Sequence, residues 1–496
     1  MQQKLSITLL IGVGILLGVL SMFVLPNGDD WIFLRNIEMD FRKDSNQLLK
    51  PEGLYWRPVQ ELIAYLMSRV PETFPYLQHF LAGFFNITNT ILLYLVVKKA
   101  INEEKIAFVA GLFFLLCPMS MSCAFSIDSF AQIFANFCGI FATYIFVFSK
   151  SPSRYVFWIL FCYIGGLTKE TGLPWFFAVP IIAWVFEYLR LSHSSAYKKK
   201  LLSSFILNCV IASFFVAFYF VIRYSFFPDS LNFDTIAANT NPNNSYKLTP
   251  VVFLKNILIL YIAPIIPVDT SALIYGYDFW IGLVTSLIVL PWIVFLYKMI
   301  KMKTLDMNIN LVLMGVALLI CIASPSLVTR AGELSAYPVI FVIAFLGSLI
   351  VYKLRISKKI IMASFIIFFI TSLITDMHKY YLIFRAGKIG NEMALKTIKD
   401  TKVVPNKVLV ITVDDYSDLK DGAMHVVPGT SFHQGDAVRW AYSYQYPKVS
   451  KKIMIKPHAT NTIKNQIDSV LKVENFKKYN CVWINHKDNI KVINVK

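Results

Sequence analysis

Residues 5–31, LSITLLIGVGILLGVLSMFVLPNGDDW, carry the two features from which the fold of this chain can be worked out. The first is an apolar run of the length that a helix needs to cross a bilayer core of about 30 Å. Lys4 precedes the run, but no small-residue cleavage site follows it before Pro26, so we expect a retained anchor and not a removed signal peptide. The second feature is the pair of adjacent acids, Asp29 and Asp30, that follows the span directly.

The composition of the whole chain points to a membrane protein. Hydrophobic residues make up 56% of the 496 residues and charged residues only 16%, whereas a soluble domain carries about 25% charge. This excludes a disordered chain and an ordinary cytosolic enzyme. Seven Cys residues in none of the usual metal-ligand spacings exclude a disulfide scaffold and give no metal site.

Hydropathy predicts an all-α polytopic membrane protein of about eleven spans. The predicted spans are 5–25, 78–97, 106–124, 130–148, 155–168, 173–189, 201–222, 279–297, 309–324, 336–352 and 359–375. A further apolar stretch, 251–268, is broken by Pro264 and Pro267. If this stretch does not cross, five short loops rich in Lys and Arg all lie on the side of Lys4, as the positive-inside rule requires. We therefore expect a re-entrant or interfacial segment there, a cytoplasmic N-terminus and an outer C-terminus.

The basic loops also account for the net charge, 48 − 30 = +18, through contact with anionic membrane lipids. No basic module interleaved with aromatic residues is present, so nucleic acid is not expected as a partner. The long outer loops are 26–77 and 223–278. Residues 1–385 form the transmembrane domain in this interpretation, and 386–496 form a small soluble α/β domain outside the membrane. Its predicted strands are 407–413, 481–484 and 490–495, and its predicted helices are 387–400 and 459–473.

Polar residues on the outer side are the candidates for chemistry. At the end of a span, two adjacent carboxylates can raise the pKa of one of them, which suits Asp29 or Asp30 to act as a general base. The alternative is a turn and a helix N-cap. Arg57, within Tyr55-Trp56-Arg57-Pro58, can grip a phosphate bidentately, although such a step is also typical of an interfacial aromatic anchor.

Further candidates come from the shorter outer loops, each with a structural alternative. Lys169 and Glu170 could bind an anionic headgroup or neutralise each other at the surface. Arg330 is a phosphate candidate, and a helical pair with Glu333 is the alternative. The remaining candidates are Asp128, which could cap a helix, His79, which could be a satisfied interfacial residue, and the ambiguous pair Asp376 and His378.

The order of these motifs resembles the GT-C superfamily of glycosyltransferases that use lipid-linked sugars. The double acid after the first span, the Arg57-Pro58 step and the stretch from His79 to Asn89 are similar to the early motifs of that superfamily. Gly166–Gly172 resembles its Lys-Glu motif, and Glu333–Pro338 resembles the motif before a late span. The nearest branches are the protein O-mannosyltransferase-like enzymes and the bacterial enzymes that use polyprenyl-phosphate sugars.

This resemblance implies an inverting transfer of one sugar from a polyprenyl-phosphate donor to an envelope glycan, lipid or protein acceptor, at the outer face of a bacterial inner membrane. Asp29 or Asp30 would be the base, and Glu170 would orient Lys169. Arg57, Lys169 and Arg330 would stabilise the leaving phosphate, with Asp128, His79 and Glu333 in support. No cofactor is implied; a divalent metal ion on the paired Asp residues is an alternative that is not favoured. The competing hypothesis is a polytopic transporter or flippase of lipid-linked glycans.

Overall fold

The computed structural model of the chain describes fourteen ranges of residues, and the structural statements below concern these. The ranges are 2–26, 56–67, 75–127, 129–190, 195–226, 250–268, 279–303, 309–327, 333–353, 358–400, 407–413, 454–460, 481–486 and 489–494.

Most of the α-helices in these ranges coincide with predicted spans, and one predicted span, 130–148, has the observed bounds. In chain order the helices are α1 (Gln2–Ser21), α2 (Pro58–Met67), α3 (Tyr76–Ile101), α4 (Glu104–Leu116), α5 (Pro118–Phe125), α6 (Phe130–Phe148), α7 (Ser153–Thr168), α8 (Trp175–Arg190), α9 (Ser195–Phe226), α10 (Pro250–Ile257), α11 (Phe279–Lys303), α12 (Ile309–Leu327), α13 (Tyr337–Lys353) and α14 (Lys358–Asp400). Two 3₁₀ turns, Glu170–Gly172 and Glu333–Ala336, precede α8 and α13.

The described residues contain eight helical segments that are long and apolar enough to cross a membrane, or nine if α4 and α5 count as one span. The polytopic all-α architecture is thus confirmed, with fewer candidate spans than the eleven predicted. The difference has physical causes. Helix α7 has 16 residues, fewer than the roughly 20 that a bilayer core requires. The described apolar part of α11, Trp280–Val294, is likewise shorter than a full span.

The bend between α4 and α5 interrupts a span that the sequence predicted as continuous. The two helices meet at 52°, and Cys117 between them is extended, with ψ 128°. A residue before proline is pushed out of the helical region, and Pro118 starts the new helix where its missing N–H costs nothing.

Two groups of helices differ in burial. The central helices α3, α6, α8 and α13 form one core with α4, and about half or more of each of these four spans is buried. Helix α9, by contrast, is only 17% buried and exposes large apolar side chains such as Leu207 and Phe214. A continuous exposed apolar surface of this kind is what lipid contacts.

The helical part of the stretch 251–268, Pro250–Ile262, is shorter than the candidate spans. Helix α10 continues as a π-helix, Leu258–Ile262, and the chain then turns irregularly. Three carbonyls of that irregular part receive hydrogen bonds from other elements: Pro264 O from Cys117 Sγ at 3.8 Å, Ile265 O from Trp292 Nε1 at 2.8 Å and Pro267 O from Thr375 Oγ1 at 3.0 Å. Non-helical backbone among apolar helices requires such partners. That this segment is re-entrant or interfacial stays a prediction.

Helix α14 is longer than the sequence predicted. Its 43 residues extend about 65 Å and run without a break through the predicted boundary at 385. The candidate span within it is Ile361–Arg385. Asp376 and His378 therefore lie inside a candidate span, whereas the sequence placed them after one. The division into domains 1–385 and 386–496 remains a prediction.

The C-terminal part contains a four-stranded sheet with the order β2-β1-β3-β4. The strands are β1 (Lys407–Val413), β2 (Met454–Thr460), β3 (Cys481–His486) and β4 (Asn489–Asn494). Strand β1 is parallel to β2 and β3, and β4 is antiparallel to β3. The bounds of β1 were predicted and β2 was missed. The helix predicted for 459–473 is wrong at 459 and 460, which belong to β2, and its remainder lies outside the described residues.

Candidate active site

An ion pair joins two segments that are far apart in the sequence. Arg57 lies just before α2, and Glu170 begins the 3₁₀ turn between α7 and α8. Arg57 donates two hydrogen bonds to Oε2 of Glu170, from Nε at 3.0 Å and from Nη2 at 2.8 Å. Both side chains are mostly buried, with exposed fractions of 18% and 23%. The arrangement fixes the plane of the guanidinium group, because both bonds converge on one oxygen.

The turn that carries Glu170 is built by the chain around it. The Lys169 amide donates to Gly165 O at 2.9 Å and ends α7, and the Gly172 amide donates to Lys169 O at 2.8 Å. The turn folds back so closely that a Cβ on Gly172 would lie 2.3 Å from the carbonyl carbon of Gly165. Only glycine fits at such a distance.

Helix α6 holds the same turn through two side-chain hydrogen bonds. Thr171 Oγ1 donates to Gln132 Oε1 at 3.1 Å, and Trp175 Nε1 donates to Asn136 Oδ1 at 2.9 Å. All four side chains are buried. Buried polar groups that are satisfied in this way fix one geometry, so the position of the Glu170 turn is set by α6.

The structure brings a second arginine to this ion pair. Arg223, in the last turn of α9, lies close enough to Glu170 and Tyr219 to act on both electrostatically. The ring of Trp56, next to Arg57, stacks on Phe226 at 5.6 Å and tilts against Tyr219 at 6.1 Å. Among the residues that the structure describes, two arginines thus act on one glutamate.

Sequence reasoning missed Arg223 because it was counted as the first residue of a long outer loop. Its signal was an arginine at the end of an apolar helix, on the same predicted side as Arg57 and Glu170. The sequence also suggested that Glu170 orients Lys169, whereas the described carboxylate contact is with Arg57. Lys169 adjoins the pair, in extended conformation with φ −157° and with its side chain half-buried.

His79 lies at the end of the helical bundle where α1 ends, which we call the exit end. It is buried, and its Nε2 donates to the carbonyl of Val24 at 3.1 Å. A carbonyl can only accept, so Nε2 carries the proton. His79 therefore fixes the direction in which the chain leaves α1 toward Asp29. Nearby, a Cβ on Gly387 of α14 would lie 2.2 Å from Leu25 O, so these two backbones are in contact.

The Arg57–Glu170 pair lies deeper than the exit end. Asn89, ten residues after His79 in α3, donates to Ile133 O of α6 at 3.4 Å and to the Tyr337 hydroxyl at 3.0 Å. Ten helical residues correspond to about 15 Å. Because Gln132 precedes Ile133 and contacts the Glu170 turn, this turn packs near the level of Asn89, below the exit end.

The other predicted site residues are placed only in part. Asp29, Asp30, Asp128 and Arg330 lie outside the described residues. Glu333 begins the second 3₁₀ turn, and only its backbone is described. Among the residues that the structure describes, no group of three His, Cys, Asp or Glu side chains could hold a metal ion.

The fold defines a class first: a helical multi-pass membrane protein with a mostly buried cluster of charged side chains below one end of its bundle. Over its full length the chain is similar to the crystal structure of ArnT from Cupriavidus metallidurans bound to undecaprenyl phosphate. The TM-score is 0.51 at 12% identity, and the alignment covers 99% of this chain and 98% of ArnT. The chain thus has the ArnT fold, which confirms the GT-C resemblance at the level of the fold.

The other comparisons add little. A second structure, the archaeal oligosaccharyltransferase AglB from Archaeoglobus fulgidus in complex with an inhibitory peptide and a dolichol-phosphate, has a TM-score of 0.36 at 11% identity. That alignment covers 86% of this chain and 63% of AglB. No protein-family model matches the sequence, and no curated protein matches it.

Proposed function

We propose that this protein is an integral membrane glycosyltransferase. It transfers a sugar from a polyprenyl-phosphate donor to an envelope glycan, lipid or protein acceptor at the outer face of the membrane. The observation that carries the proposal is the convergence of Arg57 and Arg223 on Glu170 below the exit end of an ArnT-like fold. The ArnT crystal structure contains undecaprenyl phosphate, which makes the phosphate of a polyprenyl lipid the natural ligand for such a site.

The charge of the site suits the chemistry of this transfer. The acceptor hydroxyl oxygen attacks the anomeric carbon, its proton passes to a base, and the bond from that carbon to the phosphate oxygen breaks. The electron pair stays on the phosphate, which changes from a diester with one negative charge to a monoester with two. Cations that are already in place stabilise this additional charge without reorganisation. Arg57 and Arg223 supply them, together with the predicted Lys169 and Arg330.

Glu170 acts in this scheme as a positioning residue. An arginine between apolar helices has several rotatable bonds, and a fixed carboxylate restricts them. The pair therefore holds Arg57 ready for an anion.

Asp29 or Asp30 is the proposed base. They follow Leu25 by four and five residues, and Leu25 lies beside His79 and Gly387 at the exit end. The same chain segment ends at Trp56 and Arg57. The proposed base thus belongs to a segment whose described neighbours, Leu25 and Trp56, lie at the exit end and beside Arg57.

The decisive experiment measures sugar transfer from a radiolabelled polyprenyl-phosphate sugar pool in membranes that contain the wild type, Asp29→Asn or Asp30→Asn. We expect one substitution to lower transfer by about 10²- to 10⁴-fold, the range for loss of a general base. The protein should still accumulate in the membrane. Asp40→Asn, in the same loop, is the matched control and should transfer normally.

Full transfer by both variants would remove the base assignment, and Asp128 would be tested next. If the wild type transfers nothing from several donors, glycosyl transfer itself is refuted. Lipid flipping would then be measured in proteoliposomes, because the transporter hypothesis predicts movement of the donor across the bilayer without cleavage.

A further inference from the structure

A buried set of hydrogen bonds, which we call the Tyr337 network, joins the start of α13 to helices α3 and α6. The Tyr337 hydroxyl donates to Asn86 Oδ1 at 2.7 Å and accepts from Asn89 Nδ2 at 3.0 Å. Asn89 Nδ2 also donates to Ile133 O of α6 at 3.4 Å. The side chains of Tyr337, Asn86 and Asn89 are no more than 3% exposed. Neutral polar groups inside a membrane bundle bond across helices in this way, and here they link three helices at one level.

At one end, the network fixes the start of α13. Tyr337 directly follows the Glu333–Ala336 turn, and Cys123 Sγ of α5 donates to Leu334 O within that turn at 3.8 Å. Arg330, a predicted phosphate-binding residue, stands three positions before the turn in the sequence. Because hydrogen bonds are directional, a helix start that is bonded on one side cannot rotate freely. The Tyr337 hydroxyl therefore restrains the turn that follows Arg330 in the chain.

At its other end, the network meets the support of the Glu170 turn. Ile133 directly follows Gln132, whose Oε1 accepts from Thr171 Oγ1 at 3.1 Å. Asn89 and Thr171 thus bond to adjacent residues of α6. The start of α13 and the Glu170 turn are therefore connected through two neighbouring positions on a single helix.

Apolar packing already holds the same elements together. The Tyr337 ring lies edge-on to Phe114 at 5.1 Å. Phe341, one turn later in α13, contacts Phe114 at 6.4 Å and Trp175, which begins α8, at 5.4 Å. Rings pack well in several relative orientations, and a hydrogen bond between membrane helices adds little stability. What the Tyr337 network adds is a fixed orientation of α13 against α3 and α6.

We propose that Tyr337 is a positioning residue for the transfer reaction: through Asn89 it holds the Glu333–Ala336 turn and the Glu170 turn at a fixed spacing. This inference rests on the proposed function. Arg330 precedes the first turn, and the second turn carries the carboxylate that holds Arg57. The phosphate gains its second charge only as the bond to the sugar breaks, so cations from two turns stabilise it best when they are already in place. Loss of the hydroxyl should therefore slow the reaction step and leave donor binding nearly unchanged.

The test removes the hydroxyl of the full-length protein and keeps the ring. Tyr337→Phe alone leaves Asn86 Oδ1 buried without this donor, so it should lower the thermal unfolding temperature. The double variant, Tyr337→Phe with Asn86→Leu, replaces both partners by apolar groups and should recover that temperature.

The activity readout separates the rate of transfer from donor binding. Transfer is measured in native membranes at equal protein, over a range of concentrations of a radiolabelled polyprenyl-phosphate sugar pool. We expect the maximal rate to fall about 10- to 100-fold in the single and the double variant, as for a small misplacement of catalytic groups. The apparent KM for the donor should stay close to wild type, and so should undecaprenyl phosphate binding by the purified variants.

Tyr261→Phe is the matched control. The Tyr261 hydroxyl donates to Leu319 O of α12 at 3.0 Å, so this variant also loses one hydrogen bond of a tyrosine between helices. Its maximal rate should equal that of the wild type. Equal losses in Tyr261→Phe and Tyr337→Phe would show a general effect of loosening the bundle and would refute the positioning role.

Two further outcomes would overturn the proposal. A double variant with wild-type stability and a wild-type maximal rate would show that the hydroxyl is structural alone, and a change confined to KM would assign it to donor binding. If the Tyr337 variants do not accumulate, Asn89→Leu keeps the bond from Tyr337 to Asn86 and removes both links through Asn89. The same fall in maximal rate supports the proposal and a normal rate refutes it. A wild type that transfers no sugar would instead refute the proposed function.

Discussion

The Arg57 site and the Tyr337 network both join segments that are far apart in the sequence, but they do so with different chemistry. Arg57, Glu170 and Arg223 come from three segments, and the two members of the ion pair are 113 positions apart in the sequence. Tyr337 and its two asparagine partners come from α13 and α3 and carry no charge. The first site is therefore held by charge, whereas the second is held by neutral hydrogen bonds. Removing one partner should have different consequences in the two places.

The largest effect is expected at the ion pair. Arg57→Met removes both hydrogen bonds to Glu170 and one cation from the phosphate site. We expect transfer to fall about 10²-fold or more, as for the loss of one preorganised donor to a developing negative charge. Undecaprenyl phosphate binding, measured on purified protein, should weaken as well. Arg57→Lys keeps the charge but not the two-bond geometry, so it should bind the lipid and still transfer poorly.

Glu170→Gln separates orientation from charge in the same site. It removes the anion that holds Arg57 and leaves both arginines, so lipid binding should be retained while transfer drops. In the Tyr337 network, Tyr337→Phe should also leave lipid binding intact, but addition of Asn86→Leu should restore stability. A combined Arg57→Met and Glu170→Gln variant that regained transfer would contradict a phosphate role for Arg57.

An intermediate effect is expected at Arg223. Arg223 lies at the end of α9 and acts on Glu170 through its charge, whereas Arg57 holds the same carboxylate by two hydrogen bonds. Arg223→Met should lower transfer about 10-fold, in the range of one charge-assisted contact, and Arg223→Lys should restore most of it. The control is Arg190→Met, since Arg190 lies at the far end of α8 from the Glu170 turn. Equal losses in the two Met variants would show a general effect of removing an arginine and would exclude Arg223 from the site.

The sequence predicted the residues of the Arg57 site better than their contacts, for a physical reason. The apolar runs predict the helices because a membrane span needs length and hydropathy alone, and Arg57 and Glu170 stood out as charges at predicted helix ends. Their direct pairing was not predictable, because it depends on how α7 and α2 pack. Arg223 was missed for the same reason.

The prediction for α14 was wrong about where the helix ends. An apolar count ends the span at residue 375, but the helix continues because nothing in residues 376–400 breaks it. Asp376 was therefore placed after the last span, at the start of the soluble tail, and its burial could not be foreseen. In the C-terminal part, β1 was predicted from its β-branched residues. Strand β2 was missed because Pro457 and two basic residues interrupt the run of apolar and β-branched residues that predicts a strand.

The smallest effect is expected where α6 supports the ion pair. Thr171→Val removes the hydroxyl that donates to Gln132 Oε1 and leaves that buried oxygen without this partner, at a cost of about 1–3 kcal/mol in the free energy of unfolding. Thr168→Val is the matched control, because Thr168 Oγ1 donates only to Ile164 O within its own helix, at 2.7 Å. Thermal unfolding in detergent should show a lower midpoint for Thr171→Val than for Thr168→Val. Transfer should fall only a few-fold, because Arg57 still holds Glu170 directly; a loss as large as that of Arg57→Met would mean that α6 positions the carboxylate and that the arginine follows it.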